Sequence, residues 1–176
     1  MRHVGLLTTR VVLGGYMTVH GVQKLFGSFG GPGLASTATG FESHGLRPEK
    51  AMAALAGASQ LTGGVLTVAG VADPLGPMLI AGNMTVASAF LRKQGAMSKN
   101  GGFESPLIYL AAAISLMSSG SGRFRFGPPL PKALVRICGV AITVMVVGSL
   151  AQLLRAKPNV RVSSPSRGVE PNDLSL

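Results

Sequence analysis

Three side chains with chemistry available to them lie four residues apart in the first apolar stretch of the chain: Tyr16, His20 and Lys24. On a helix this spacing stacks them on one face. A ring nitrogen and an ammonium on adjacent turns can hold a polar headgroup or an anion, and an imidazole passes protons near neutral pH. The same residues also admit a structural reading, with Lys24 reaching to an interface along its apolar stem and His20 capping a neighbouring loop. Arg10 interrupts the same stretch one turn and a half before Tyr16. Polar groups at membrane depth are costly, so each is a candidate for function.

Further along, Gln60 and Asn83 bring amides into two other apolar stretches, where hydrogen bonding between helices competes with ligand binding as their role. Glu104 follows Gly101-Gly102-Phe103 and either caps a helix N-terminus or pairs with His20 or Lys24. Tyr109 is an interfacial anchor or a hydrogen-bond donor. The candidate polar cleft is therefore His20, Lys24, Gln60, Asn83, Glu104 and Tyr109. No serine–histidine–acid set is evident, and His3, His20 and His44 lack the paired spacing of metal ligands or of axial haem ligands. No catalytic residue and no metal ligand is assigned. The single cysteine, Cys138, cannot form an internal disulfide and reads as a small apolar residue.

The elements that must position these groups follow from composition. Hydrophobic residues make up 47% of the 176 residues and charged residues 12%, about half the share that covers the surface of a soluble domain. The apolar residues fall in long blocks, which predicts an all-α membrane protein. Helices are expected at about 4–26, 51–71, 75–91 and 104–119, a four-helix transmembrane core within residues 1–126. Residues 127–154 then form a linker and an additional C-terminal transmembrane helix over about 133–154, and 155–176 a disordered basic tail. The fourth block is short for a span and has to borrow residues at each end. Asp73-Pro74 leaves so little chain between the second and third blocks that they must pack as a hairpin, through small residues such as Gly57, Gly63, Gly64 and Gly82.

Residues 27–50 are glycine-rich, with Gly27-Ser-Phe-Gly-Gly-Pro-Gly33, and predict a re-entrant or interfacial loop. The loop follows no strand and lacks the Lys-Ser/Thr ending of a phosphate loop, which excludes that reading. Sixteen Lys and Arg oppose six Asp and Glu, and most flank the apolar blocks. They suit anionic lipid headgroups, and no nucleic-acid signature accompanies them. Five spans with the N-terminus outside would place ten of the sixteen basic residues on the inner side, the orientation the charge rule favours.

Several of these residues together resemble the DoxX family of small bacterial membrane proteins. The resemblance rests on Arg10 with Leu13-Gly14, on His20-Gly21-Val-Gln-Lys24-Leu25-Phe26, and on Phe29-Gly30-Gly31. It continues through Leu55-Ala56-Gly57, Gln60-Leu-Thr-Gly63-Gly64, Gly101-Gly-Phe-Glu104-Ser-Pro106-Leu107 and Gly120-Ser-Gly122-Arg123-Phe124, in order over about residues 6–126. It implies a four-helix membrane core, a place in the bacterial inner membrane, and a kinship with the small subunit of thiosulfate:quinone oxidoreductase. Two departures stand out. The family commonly has a glutamate where this chain has Gln60, which weakens a proton-relay role there, and the fifth apolar block extends past the usual core.

The expected function is an integral membrane subunit of a respiratory or redox-homeostasis assembly, at most a subunit of a membrane oxidoreductase. The cleft would meet a quinone, no cofactor would be bound covalently, and membrane lipids and protein partners would complete the assembly. The alternative is a non-enzymatic scaffold that anchors partners through the fifth helix and tail. On this expectation deletion from Ala133 onward separates the two, because a core site should survive it. A small-molecule transporter ranks third, since paired repeats are not obvious.

Overall fold

A computed structural model describes residues 2–156 of the chain and shows six α-helices and no strand among them. They are α1 (Arg2–Phe26), α2 (Gly33–Ser43), α3 (Glu49–Ala69), α4 (Leu75–Leu91), α5 (Glu104–Ser119) and α6 (Lys132–Arg155). The expected tail beyond Ala156 lies outside the described residues. The five long helices start and stop within two residues of the ranges expected from apolar patterning. Proline and glycine set several of these ends. Pro77 and Pro106 fall in first turns, where a missing N–H costs nothing, and Gly70 closes α3 in the left-handed region at φ 63°.

The 27–50 segment differs from the loop expected there. It opens with a short 3₁₀ turn, Ser28–Gly30, and then forms the eleven-residue helix α2. The prolines and glycines that read as breakers lie before the helix, with Pro32 at its N-cap, so they start it rather than prevent it. At 1.5 Å per residue α2 is about 16 Å long, too short to cross a bilayer core of about 30 Å.

The closest helix pair is α1 with α3, not the expected hairpin alone. A Cβ on Gly14 would lie 2.6 Å from the Gly64 carbonyl oxygen, and one on Gly64 would lie 2.5 Å from the Thr18 backbone nitrogen. Gly21 abuts the Leu61 backbone and Gly57 meets the Leu25 side chain. Two backbones run against each other along this seam, and only glycine permits it. The α3–α4 hairpin uses the same device at its turn, where Gly76 faces Thr67 and the Gly63 carbonyl. Leu13 and Met17 of α1, Ile80 and Met84 of α4, and Ala113 and Leu116 of α5 form the buried core.

Arg10 ties the end of this seam. It is 2% exposed, and all its hydrogen bonds go to backbone carbonyls. Nε donates to the Thr67 oxygen at 2.8 Å, one terminal nitrogen to Val68 at 2.7 Å, and the other to Ser121 at 2.8 Å and to Phe124. Thr67 and Val68 are carbonyls that the end of α3 leaves without helical partners, so a guanidinium there meets both hydrogen-bonding need and dipole. The α5–α6 linker is thereby laid against the α3–α4 turn. Backbone bonds from Phe126 to Ala69, from Ala72 to Pro128 and from Leu130 to Asp73 complete the join.

Among the described residues, α3 and α6 are long and apolar enough to cross a membrane. The α6 helix is the more telling of the two, because Ile137, Val140, Val144 and Val147 are each 58–64% exposed. In water such a face would be a large uncovered apolar patch. Hydroxyls follow the same logic, since Thr18, Thr67, Thr85, Ser88, Thr143 and Ser149 each donate to a carbonyl four residues earlier. Groups satisfied within their own helix need no water.

Candidate functional site

Where α6 crosses the hairpin, the packing opens. A cavity of about 420 Å³ lies between α3, α4 and α6, with Phe41 and Leu46 from α2 and its following turn also lining it and Lys24 of α1 at one side. This is within the range of roughly 300–1,000 Å³ typical of small-molecule sites. Its walls are mostly apolar: Met52, Leu55, Leu79, Val86, Ile142 and Met145 are representative. Glycine and alanine on the inner faces, among them Ala56, Gly82 and Ala87, provide the room.

Three of the six expected site residues meet at this cavity: Lys24, Gln60 and Asn83. Lys24 Nζ donates to Gln60 Oε1 at 2.8 Å. Gln60 is 2% exposed, and among the described residues its amide NH₂ finds no acceptor. Asn83 donates to the Ala56 carbonyl at 3.0 Å and to Ser59 Oγ at 2.6 Å, which holds α4 against α3 and leaves its own carbonyl oxygen available. The expected interhelical role of Asn83 and its place at the cavity are thus both visible. Lys24 is the one charged side chain among the described residues lining the cavity.

The other three expected residues lie elsewhere. Tyr109 packs on α1 with Tyr16 and His20, at ring-centroid distances of 6.2 and 6.3 Å, while His20 Nδ1 is 3.2 Å from Gln23 Oε1. This aromatic group sits between α1 and α5. Glu104 is exposed, and its Oε2 accepts the Ser98 backbone N–H at 3.0 Å, closing the loop that precedes α5. It pairs with neither His20 nor Lys24. The cleft expected from sequence therefore divides into a cavity corner, an aromatic cluster and a loop cap.

Several parts of the site were not named from sequence. Ile142, Met145, Val146 and Ser149 on α6 form one wall, and Phe41 packs at a tilt against Phe90, on which His44 stacks at a centroid distance of 3.9 Å. The Gln152 amide grips both backbone groups of Arg47, accepting at 2.8 Å and donating at 3.0 Å, so the end of α6 is fastened to the α2–α3 connection. Truncation from Ala133 would remove a wall of the cavity along with any scaffold surface, and so does not separate those two readings as expected. Polar residues are few in α6, and of Thr143, Ser149 and Gln152 only Ser149 lines the cavity.

A model of the DoxX family matches residues 5–93, 89 of the 176 residues. The chain belongs to the DoxX family. No curated protein and no solved structure matches it. The matched span covers α1 to α4 and ends before the Gly101–Pro106 and Gly120–Phe124 segments. DoxX is a membrane family, and together with the exposed apolar face of α6 this makes the chain a membrane protein. Within this DoxX protein, the Arg10 anchor and the Lys24–Gln60 pair both fall inside the family-matched region, while α6, which completes the cavity, falls outside it.

Proposed function

We propose that this DoxX protein is a multi-pass protein of the bacterial inner membrane whose helices α1, α3, α4, α5 and α6 all cross, with α2 lying at one end. It serves as a subunit of a respiratory or redox-homeostasis assembly and holds a quinone-type lipophile in the α3–α4–α6 cavity. The observation that carries this reading is an apolar cavity with hydrogen-bond donors gathered at one corner, Lys24 Nζ and the Gln60 NH₂. A ring carbonyl would accept from these donors, and its isoprenoid tail would lie along Leu79, Val86 and Ile142. No catalytic centre belongs to the chain on this reading, so a partner protein supplies the electron-transfer centre. Helices α4 and α5, at 17 and 16 residues, are about 24–26 Å long, short enough to call on their flanking residues at the interfaces.

The test is gentle detergent extraction from native membranes, followed by mass spectrometry of proteins and of the organic extract. Redox proteins in fixed ratio together with a quinone support the reading. Recovery of the chain with lipid alone contradicts it. A second reading, a scaffold, draws on the exposed face of α6 at Ile137, Val140 and Val144. It expects partners in fixed ratio with no quinone, and their loss when those residues are replaced.

A further inference from the structure

The cavity corner carries a charge with nothing to balance it. Among the described residues lining the cavity there is no carboxylate, and the neighbour of Lys24 is the neutral amide of Gln60, whose carbonyl takes one ammonium proton. The ammonium has two further N–H groups, and the Gln60 NH₂, on a side chain 98% buried by its 2% exposure, has no acceptor among the described residues. Lys24 is half-buried, and a cation partly withdrawn from water without a counter-charge is unfavourable, so a ligand that brings a negative charge relieves this in a way a neutral one does not. Charge-assisted hydrogen bonds are about twice as strong as neutral ones, and stronger still where water is excluded.

We infer that the α3–α4–α6 cavity binds single-chain amphiphiles with a carboxylate head, of the long-chain fatty-acid class, through Lys24 and Gln60. The carboxylate has two oxygens to accept from the ammonium and the amide. The chain lies among Met52, Leu79, Val86 and Ile142, a volume without other charge. The Asn83 carbonyl oxygen offers no donor, so a head with its own acceptors is directed to the Lys24–Gln60 corner rather than to α4. The inference rests on the reading of this cavity as a lipophile site, and it sets an order of preference there: carboxylate ahead of the neutral carbonyl of a quinone.

The test uses the full chain in nanodiscs of neutral lipid, with direct binding of palmitate, its methyl ester and a short-tailed quinone measured at pH 7.4. Palmitate is expected to bind at least about tenfold more tightly than the ester, which has the same chain without the charge. Gln60→Glu places a carboxylate in reach of Lys24 and is expected to abolish the preference for the acid over the ester. Lys24→Met should do the same. Equal binding of acid and ester, or an acid preference that survives both substitutions, overturns the inference and leaves the lipophile site standing. Absence of binding by all three ligands overturns both the inference and the site. Should either variant fail to fold, the comparison of acid with ester on the unaltered protein still decides the matter.

Discussion

The α1–α3 seam and the α3–α4–α6 junction share a helix yet pack in opposite ways. Along the seam, glycines 14, 21 and 64 let two helices touch through backbone atoms, Gly57 receives the Leu25 side chain, and the space is full. At the junction, Ala56, Gly82 and Ala87 of α3 and α4 lie opposite Ile142, Met145 and Val146 of α6, which do not fill the gap, and about 420 Å³ stays open. The contrast shows that small residues in a membrane bundle do two jobs. Facing other small residues they bring helices together, and facing larger side chains they leave a chamber beside the contact. On the proposed reading, function belongs to the second arrangement and stability to the first.

The same substitution, glycine to alanine, should act differently in the two regions. Gly64→Ala sets a Cβ against the Thr18 nitrogen at 2.5 Å and the Gly14 oxygen at 2.6 Å, backbone atoms that cannot turn aside. We expect a loss of about 3 kcal/mol or more in detergent unfolding, at or beyond the top of the usual range for overpacking. The next largest effect is Arg10→Met, which leaves four carbonyls at the end of the seam without their donor. It should cost about 2–3 kcal/mol, with faster proteolysis within residues 120–131 than in the unaltered protein. Gly82→Ala at the junction meets side-chain methyls rather than backbone, the Ile142 Cγ2 at 2.7 Å and the Val146 Cγ2 at 3.4 Å, and α6 has to shift slightly to make room because β-branched side chains in a helix do not turn aside. The better helix propensity of alanine offsets part of the strain, so the loss should be about 1 kcal/mol, well below that at Gly64. A large loss at Gly82, or none at Gly64, would remove the distinction between the two regions.

The smallest effect concerns pH. Burial beside the α3–α4 turn pushes the Asp73 carboxyl up from the ordinary carboxylate range, against the opposing influence of the Ser121 N–H and of Arg10 and Arg125. A carboxyl raised on folding contributes stability that is complete below its unfolded pKa and is lost as pH rises through the folded one. Asp73→Asn should therefore lessen the fall in stability with rising pH across the mildly acidic range, as followed by thermal unfolding. An unchanged pH profile would place the titration elsewhere.

Much of the architecture was legible because apolar block length reports helix length directly, and Pro, Gly and Asp73-Pro74 mark the boundaries. The α2 helix was not, since Gly-Pro-Gly at residues 31–33 signals a break whether a helix or a loop follows. Lys24, Gln60 and Asn83 were identified as candidates because polar residues stand out in apolar surroundings, and the structure brings these three to one cavity. Spacing along α1 placed His20 with Lys24, but periodicity within one helix carries no information on which neighbour each residue meets. His20 turns to Tyr109 while Lys24 turns to Gln60. Glu104 shows the same limit, because a carboxylate at a helix start has a local partner in Ser98 that sequence does not distinguish from a distant cation. The α6 wall was hidden because a uniformly apolar helix shows no face, and only its crossing of α4 at Gly82 determines which residues line the chamber.

On the proposed reading the α3–α4–α6 cavity holds a lipophilic molecule in the membrane. Native mass spectrometry of the full chain released from nanodiscs tests it most directly, alongside the cavity-filling variant Val86→Trp. One lipophile retained per chain in the unaltered protein and none in Val86→Trp, with the two equally folded, is the expected result. Retention that is the same in both, or absent from both, would contradict it.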